Sequence, residues 1–450
     1  MAVIVRDDAG QWSSFPAGAN PSIIDEPWRR GFMVVRRFLQ SLLALLATSL
    51  LSSCDQSDPS PVNPLPSEEK IVNSPLTESL FNSGELQAIA YGSYRSDSRS
   101  VVASVEDIME DLRILSALGY NMIRTYNTQQ FDEVRRIFLA IEALKKEEPE
   151  FSMYVMLGVW IDCEGAFGEA PDHTREDLDA NQREIDAAVE FAQRYPHIVK
   201  VIAVGNEAMV HWAATYFVGP EVILKWVEYL QSLKQSGVLG SGLWITSSDN
   251  FASWGGGDPV YRTPVLEQLI RAVDYVSLHT YPFHDTHYNP QFWQSGAGPD
   301  EAAPISDTTS SAIHRALSYA EAQFDATERY VHSIVPGKPL HIGETGWASA
   351  DNRLYGEDGS GAAGEAAQAQ YVRGTLAWTR SRGITAVLFE AFDEPWKDAN
   401  NPGGSENHFG LMRDHFAKQV LWEQVDQGVL EGLRRGGQTI TKSSDRENTL

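Results

Sequence analysis

The sequence predicts one (β/α)8 TIM barrel of the α/β class, and three observations support this prediction. Short apolar runs alternate with amphipathic helical patterns through residues 87–433. They form eight strand–helix units in about 340 residues, which suits a single closed barrel. The runs are continuously apolar, as expected for parallel strands that are buried on both faces. A doubly wound open sheet is the alternative, but it gives no reason for strands four and seven to end facing each other.

Each element is assigned from its local pattern in chain order. Helices are bounded by glycine or proline, as at Gly119 and Gly383 after a helix and Pro220 at the start of one. The predicted strands are 87–92, 121–126, 152–160, 199–206, 243–247, 274–280, 339–343 and 386–390. The predicted helices are 105–118, 131–146, 175–195, 221–236, 263–272, 305–333, 364–382 and 416–433.

The first 86 residues have the pattern of an export and anchoring segment. Two arginines precede an apolar run at 38–51, which is typical of a secretory signal. The run ends in Leu-Ser-Ser-Cys, which resembles a bacterial lipobox with Cys54 as the lipidated residue. We therefore expect an over-extended N-terminus at 1–32, a signal peptide at 33–53, a flexible tether at 54–86 and a polar tail at 434–450. This organisation predicts a lipoprotein of the bacterial cell envelope on a periplasmic or outer-surface face, and an uncleaved signal anchor is the alternative.

The charge and the cysteine content limit which partners and ligands the protein is expected to bind. The net charge of -25 argues against nucleic acid and against an anionic membrane surface, so contact with a membrane is expected only through the lipid on Cys54. The chain has 2 cysteines, too few for a disulfide framework or a thiolate zinc site, and Cys163 is expected to be a small buried residue. The sequence contains no phosphate-binding glycine loop and no H-x-x-x-H pair, so we predict no cofactor or metal and expect a monomer. His284, Asp285 and His287 are interpreted as a surface loop rather than as metal ligands.

Two of the predicted strands lead directly into a glutamate. Strand 199–206 is followed by Glu207, and strand 339–343 is followed by Glu344. Because a barrel gathers the C-terminal ends of its strands at one face, we expect these two carboxyls to face each other there. Two carboxyls in a cleft with aromatic side chains are the equipment for cleaving a glycosidic bond. The other side chains expected at this face are Tyr91, Arg124, Tyr126, Trp160, Asn206, Ser248, Asp249, His279, Tyr281, Trp347, Glu390 and Glu394.

Several stretches together resemble glycoside hydrolase family 17, the β-1,3-glucanase family within the clan of barrel glycosidases. The stretch 204–207 reads Val-Gly-Asn-Glu and 343–347 reads Gly-Glu-Thr-Gly-Trp. The stretch 123–126 is similar to the R-x-Y motif of that family. The stretches 389–397 and 406–411 are similar to its F-x-x-F-D-E-x-x-K and E-x-H-F-G-L endings.

The resemblance implies a retaining enzyme acting on β-1,3-glucan, with Glu207 as acid/base and Glu344 as nucleophile. It further implies that Asn206 hydrogen-bonds the sugar 2-hydroxyl. Tyr281 and Trp347 would line the sugar sites, and Glu394 and Lys397 would maintain charge balance and geometry. The remaining predicted substrate contacts are Tyr91, Arg124, Tyr126, His279 and Trp212, of which Trp212 is either a stacking platform or packing beneath its loop.

Some features depart from the family pattern. His279 stands where plant members usually have asparagine. Long loops at 249–258 and 283–304 could close one end of the cleft, so endo action, exo action and glucanosyl transfer all stay open. A carbohydrate-binding lipoprotein that has lost catalysis is the alternative from another class, although both glutamates are present.

Overall fold

A computed structural model of the chain describes residues 77–129, 132–287, 305–352 and 363–443. It also describes the backbone of two short strands, Ala2–Arg6 and Trp12–Pro16, which form a separate two-stranded sheet. The predicted signal peptide, the lipidation site Cys54, most of the tether and most of the loop 283–304 lie outside these ranges. They remain predictions from the sequence.

The predicted (β/α)8 barrel is confirmed. Its eight strands are all parallel, each pairs with the next in the chain, and β8 pairs with β1 to close the barrel. The strands are β1 (Ala88–Ala90), β2 (Met122–Arg124), β3 (Tyr154–Val159), β4 (Val199–Asn206), β5 (Trp244–Asn250), β6 (Val276–His279), β7 (Leu340–Gly346) and β8 (Ala386–Phe389). The helices that follow them are α1 (Val105–Ala117), α2 (Glu133–Glu147), α3 (Leu178–Arg194), α4 (Pro220–Gln235), α5 (Pro264–Ala272), α6 (Ile305–Ile334), α7 (Glu365–Arg382) and the short α8 (Trp422–Asp426).

Side chains on each strand alternate between the barrel interior and the helix layer. On β2, Met122 belongs to the interior cluster, whereas Ile123 packs in the outer cluster between strands and helices. On β4, Val201 and Ala203 point inward and Ile202 points outward. Both faces are apolar, which explains why the strands read as continuous hydrophobic runs.

The domain begins earlier than predicted. The end of the expected tether forms a helix, Thr77–Asn82, whose Phe81 is buried among Trp244, Tyr275 and His341. These partners lie at the N-terminal ends of β5, β6 and β7, so Phe81 closes the barrel on the face opposite the strand ends that carry the glutamates. Thr77 also donates its hydroxyl to the carbonyl of Lys200 at 3.0 Å. The predicted boundary at residue 87 is therefore corrected to Thr77.

The predicted closing helix at 416–433 and the polar tail from 434 are also corrected. The segment forms a short strand at Phe416–Ala417, a 3-10 turn and then α8. Gly428 and Gly432 have φ angles of 74° and 80°, a left-handed conformation that ends a helix despite the helical spacing of the apolar residues. Residues 434–443 form two further short strand pairings, so this part of the tail is ordered on the domain.

The loop at 249–258 lies against α6. The strand β5 extends through Asn250, and after Phe251 the five residues Ala252–Gly256 form a single helical turn. Trp254 in this turn is fully buried and donates its indole N–H to the carbonyl of Ser277 at 3.0 Å. This packing places the turn against the helix layer, so the segment is part of the barrel wall.

A buried carboxylate fastens the C-terminal segment to the barrel. Asp111 on α1 is fully buried and accepts hydrogen bonds from Arg95 at 2.8 Å, Arg435 at 2.9 Å and the Tyr91 hydroxyl at 3.0 Å. Removing one partner from a buried ion pair leaves the other charge uncompensated, which costs more than the pair itself contributes.

We expect Asp111→Ala to lower the free energy of unfolding by about 3–5 kcal/mol, because the buried Arg435 guanidinium would lose its carboxylate partner, whereas Arg95 would keep Asp107. Urea unfolding followed by circular dichroism measures this change. Asp132→Ala is the matched control, since Asp132 pairs with Arg135 and Arg136 on the exposed surface and should cost less than about 1 kcal/mol. Equal losses for the two variants would contradict this account of Asp111.

Candidate active site

The two glutamates stand at the C-terminal ends of β4 and β7, as expected for the functional face of a barrel. The β-ladder is irregular at both places. On β4 the irregular stretch, Ala203 to Asn206, lies just before Glu207, and on β7 the stretch from Ile342 to Thr345 contains Glu344. Glu207 itself has a φ angle of 47°, which is unusual for a residue with a side chain. Such strained positions cluster at functional sites, where the surrounding structure imposes them.

Glu344 is buried in a cage of donors. Its Oε2 contacts Arg124 Nη1 and accepts a hydrogen bond of 2.9 Å from the Tyr126 hydroxyl. Its Oε1 accepts a hydrogen bond of 2.5 Å from the Tyr281 hydroxyl. The same Arg124 nitrogen donates to the Gly343 carbonyl at 3.0 Å, which fixes the guanidinium beneath the strand end.

These donors keep Glu344 ionised. Burial alone would raise the pKa of its carboxyl. The Arg124 guanidinium and the hydrogen bonds from Tyr281 and Tyr126 outweigh burial, so the pKa of Glu344 lies below its usual range. The site therefore holds a carboxylate whose negative charge is fixed in position.

Glu207 is held in the opposite state. Burial raises the pKa of Glu207, and the negative charge of Glu344 raises it further, while Arg124 opposes both only in part. Its backbone N–H donates to the Ser248 carbonyl at 3.0 Å, which joins this residue to the end of β5. Glu207 is therefore a carboxylic acid near neutral pH, beside a neighbour that is ionised.

A buried histidine supports the Glu207 carboxyl. His279 Nδ1 lies 3.1 Å from Glu207 Oε1, and its Nε2 lies 2.7 Å from the Ser248 hydroxyl, which in turn contacts the Ser277 hydroxyl at 2.9 Å. Burial lowers the pKa of His279 to about 4, so the ring is neutral near neutral pH. A neutral imidazole donates from one nitrogen and accepts at the other, so it can fix the carboxyl orientation without adding charge.

Asn206 directly precedes Glu207 and shares the Arg124 guanidinium with Glu344. Its Oδ1 accepts a hydrogen bond of 2.6 Å from Arg124 Nη2, which orients the amide. The Asn206 side chain is half-buried, and its NH2 group keeps two donors for a hydroxyl in the cleft. This geometry is compatible with the predicted contact to a sugar hydroxyl.

A second charged group follows β8. Lys397 Nζ contacts Glu390 and lies 2.8 Å from Glu394 Oε2, with all three side chains largely buried. Glu394 fits below the end of β1 because Gly92 has no side chain there, since a Cβ on Gly92 would lie 2.0 Å from Glu394 Oε1. The predicted pair Glu394 and Lys397 therefore lies in direct contact at the same face of the barrel.

Two predicted substrate contacts are corrected. Tyr91 is 1% exposed and points outward to Asp111 in the helix layer, because Ala88 and Ala90 take the inward positions of β1. Trp347 is fully buried between Phe283 and Tyr371, at ring distances of 5.2 Å and 5.0 Å. Neither ring presents a face to the cleft, so both stabilise the fold around it.

The predicted role of Arg124 and His279 as substrate contacts is corrected for a different reason. Both are buried at the site, with 1% and 0% exposure, and their polar atoms contact Glu344, Asn206 and Glu207 rather than solvent. They are positioning residues instead of direct sugar contacts. Tyr126, Asn206 and Tyr281 are half-buried at the cleft, and Trp212 is half-buried beside the cluster of Val210, Ala213 and Tyr216.

The prediction from sequence gave no role to Glu406, and it placed Asp249 at this face without assigning it a role. Burial raises the pKa of Glu406 to about 7, and its Oε1 lies 3.7 Å from His284 Nε2. It belongs to the E-x-H-F-G-L stretch, which was the available signal. Asp249 is fully buried and accepts from the backbone N–H of Met209 at 2.8 Å, so it fixes the chain just after Glu207.

Within the described ranges, no group of three histidine, cysteine or acidic side chains could hold a metal ion. Cys163 is a free, buried thiol, as predicted. Among the helices that the structure describes, none is long and apolar enough to cross a membrane.

The site thus contains one ionised and one protonated carboxyl, a half-buried amide and two tyrosine hydroxyls on a (β/α)8 barrel. This arrangement can protonate an ether oxygen while a carboxylate approaches the neighbouring carbon, which is the chemistry of glycosidic bond cleavage. The fold and the site define a glycoside hydrolase.

Comparison with known proteins identifies the family. The chain belongs to the family of the BtgE/BtgC glycoside hydrolase domain, whose model matches residues 88–410. The expected resemblance to glycoside hydrolase family 17 is confirmed by this match together with the relatives described next.

An endo-laminarinase from Formosa Hel1_33_131 is 51% identical to this chain, with a TM-score of 0.78. The match covers 83% of this chain and 94% of the laminarinase chain. A glucan 1,3-beta-glucosidase of Schizosaccharomyces pombe is 25% identical over 309 residues, 68% of this chain and 77% of its own length. A family 17 β-1,3-glucanosyltransferase from Rhizomucor miehei is 21% identical over 74% of this chain and 94% of its own, with a TM-score of 0.50, and shows the fold alone.

Proposed function

We propose that this chain is a retaining hydrolase of β-1,3-glucan that works through a covalent glycosyl-enzyme intermediate. The observation that carries the proposal is the different surroundings of two carboxyls at one face of the barrel. Glu344 accepts from Arg124, Tyr126 and Tyr281, whereas the Glu207 carboxyl contacts His279. One carboxyl is thereby suited to attack and the other to give a proton, and retention is what the relationship to family 17 implies. The 51% identity to an endo-laminarinase supports β-1,3-glucan as the substrate.

In the first step, the Glu344 carboxylate attacks the anomeric carbon. A carbon–oxygen ester bond forms, the glycosidic bond breaks, and Glu207 gives its proton to the leaving oxygen. Arg124, Tyr126 and Tyr281 hold the attacking carboxylate in place, so little reorganisation is needed when the substrate arrives.

In the second step, Glu207 changes from acid to base. Once Glu344 is esterified, its negative charge no longer raises the pKa of Glu207, which can stay ionised and accept a proton from water. The water oxygen bonds to the anomeric carbon, the ester bond breaks, and Glu344 returns as a carboxylate. Two displacements give net retention at that carbon.

Product analysis of the wild-type protein tests this proposal. Shorter oligosaccharides from laminarin, with the β-anomer formed first by proton NMR, are the expected result. An α-anomer as the first product would contradict retention, and inactivity on all β-glucans would contradict the enzyme. Products longer than a defined laminari-oligosaccharide would instead assign glucanosyl transfer through the same intermediate.

We expect a bell-shaped pH dependence of kcat/KM. Activity rises as Glu344 ionises, with a pKa held below its usual range, and falls as Glu207 loses its proton, with a pKa raised to about 8. Initial rates on a laminari-oligosaccharide from about pH 3 to about pH 10 measure both limbs. Glu207→Gln is the control: on an aryl glucoside with a good leaving group, glycosylation does not need the acid, and the alkaline limb should disappear.

We further propose that Cys54 carries a lipid that anchors the protein in a bacterial envelope. The basic residues, apolar run and Leu-Ser-Ser-Cys sequence support this proposal. In cells, the wild type should partition into detergent and Cys54→Ala into the aqueous phase. Equal partition of the two proteins would contradict lipidation.

A further inference from the structure

Three aromatic rings lie together on the loops that follow β3 and β4 and take no part in the mechanism above. The rings of Trp160 and Tyr216 are 5.1 Å apart, Phe167 and Tyr216 are 5.5 Å apart, and Trp160 and Phe167 are 6.3 Å apart. We call Trp160, Phe167 and Tyr216 the aromatic platform.

Phe167 has an exposed ring and an unfavourable backbone conformation, and neither stabilises the fold. Its side chain is 53% exposed, although an apolar ring gains stability mainly by burial. Its φ angle is 59°, an unfavourable conformation for a bulky residue. The backbone N–H of Phe167 donates to the Thr215 carbonyl at 2.8 Å, so the surrounding loops impose this conformation.

The platform is rigid because the two loops are bound to each other. The backbone N–H of Cys163 donates to the Tyr216 carbonyl at 3.3 Å. His173 stacks on Phe217 at a ring distance of 3.7 Å, and its Nδ1 lies 2.8 Å from the Phe217 carbonyl oxygen. A surface whose rings are fixed before binding loses little entropy when a ligand stacks on it.

The platform is continuous with the catalytic cleft. Trp160 directly follows β3, and Tyr216 lies on the loop that begins at Glu207. Trp160 and Trp212 both pack on the cluster of Val210, Ala213 and Tyr216, which lies on the loop just after Glu207. Asp162 accepts the Trp160 indole N–H at 2.6 Å and puts a carboxyl at the edge of the platform.

We propose that the aromatic platform is a distal subsite, where a glucosyl residue away from the cleaved bond stacks on the exposed ring of Phe167. This proposal rests on the proposed function, since the ligand is the same β-glucan chain running out of the cleft. The apolar face of a glucose ring suits an exposed aromatic ring, and the Asp162 carboxyl can accept hydrogen bonds from its hydroxyls.

The test compares long and short substrates. We expect Phe167→Ala to lower kcat/KM on laminarihexaose about tenfold, mainly through KM, and to leave an aryl glucoside unaffected. Phe167→Trp should restore the activity on the long substrate. Tyr229→Ala is the matched control, since Tyr229 is 39% exposed on α4 and lies outside the platform.

Unchanged activity of Phe167→Ala on laminarihexaose would overturn the subsite, and so would an equal loss on the long and short substrates. Calorimetric binding of laminarihexaose to Glu344→Gln, with and without Phe167→Ala, separates this inference from the proposed function. If the wild type binds laminarihexaose without cleaving it, the catalytic proposal fails. The binding comparison then still shows whether the aromatic platform is a sugar subsite. Equal affinity with and without Phe167→Ala would also overturn the subsite.

Discussion

Glu344→Ala is expected to lower kcat on laminarin by on the order of 10⁴-fold or more, because the attacking atom is removed. Glu207→Ala is expected to lower it by about 10²–10⁴-fold, the usual contribution of a general acid. Glu267→Ala on the exposed side of α5 is the control and should keep full activity. Full activity of either active-site variant would contradict the assigned chemistry.

Azide separates the two roles, because it is a small nucleophile that needs no general base. With an aryl glucoside, Glu207→Ala can still form the glycosyl-enzyme, and azide then displaces Glu344 to give the β-glucosyl azide. In Glu344→Ala, azide enters the space of the missing carboxylate and attacks once, which gives the α-glucosyl azide. NMR distinguishes the two products, and the reverse assignment of anomers would exchange the roles of the glutamates.

A direct label gives an independent check. A 2-deoxy-2-fluoro glucoside with a good leaving group forms the glycosyl-enzyme faster than the intermediate breaks down. Mass spectrometry of the digested protein should then find the sugar on the peptide that contains Glu344. A label on any other residue would contradict the assignment of the nucleophile.

The parts of the fold that follow from local pattern were predictable. The strand predicted at 199–206 is β4 at Val199–Asn206, because its apolar run is long and ends at a clear change in polarity. The closing helix failed for an equally local reason. The predicted helix ran through Gly428 and Gly432, whose left-handed backbone ends any helix there.

The positions of the two glutamates could be predicted from the sequence, but the directions of the side chains around them could not. A strand end shows which residues reach the functional face, but not which side of the strand each occupies. On β2, Met122, Arg124 and Tyr126 share the inward side, whereas on β1 the inward side ends at Gly92 and Tyr91 turns outward. The small inward residues of β1 were the available signal. Trp347 lies beyond the regular strand, where only tertiary packing sets the direction of the ring.

Replacing the buried Arg124 is expected to have a large effect on activity. Its Nη1 contacts Glu344 and its Nη2 contacts Asn206, so one guanidinium holds both the attacking carboxylate and the neighbouring amide. We expect Arg124→Met to leave Glu344 buried without its counter-charge, which raises the pKa of that carboxyl. Because Glu344 must be ionised to attack, the acid limb of kcat/KM should move to higher pH by about one to three units.

Arg124→Lys tests whether charge alone is enough. A lysine keeps the positive charge but presents one nitrogen, so it cannot replace both contacts, and we expect a smaller shift of the acid limb with a persistent loss of kcat. Arg113→Met is the matched control, because Arg113 pairs with Glu147 and Glu148 on the surface and should change neither the rate nor the pH profile. A uniform loss of rate in Arg124→Met, with the acid limb unmoved, would mean that Arg124 only supports the fold. A shifted limb assigns it control of the charge on the nucleophile.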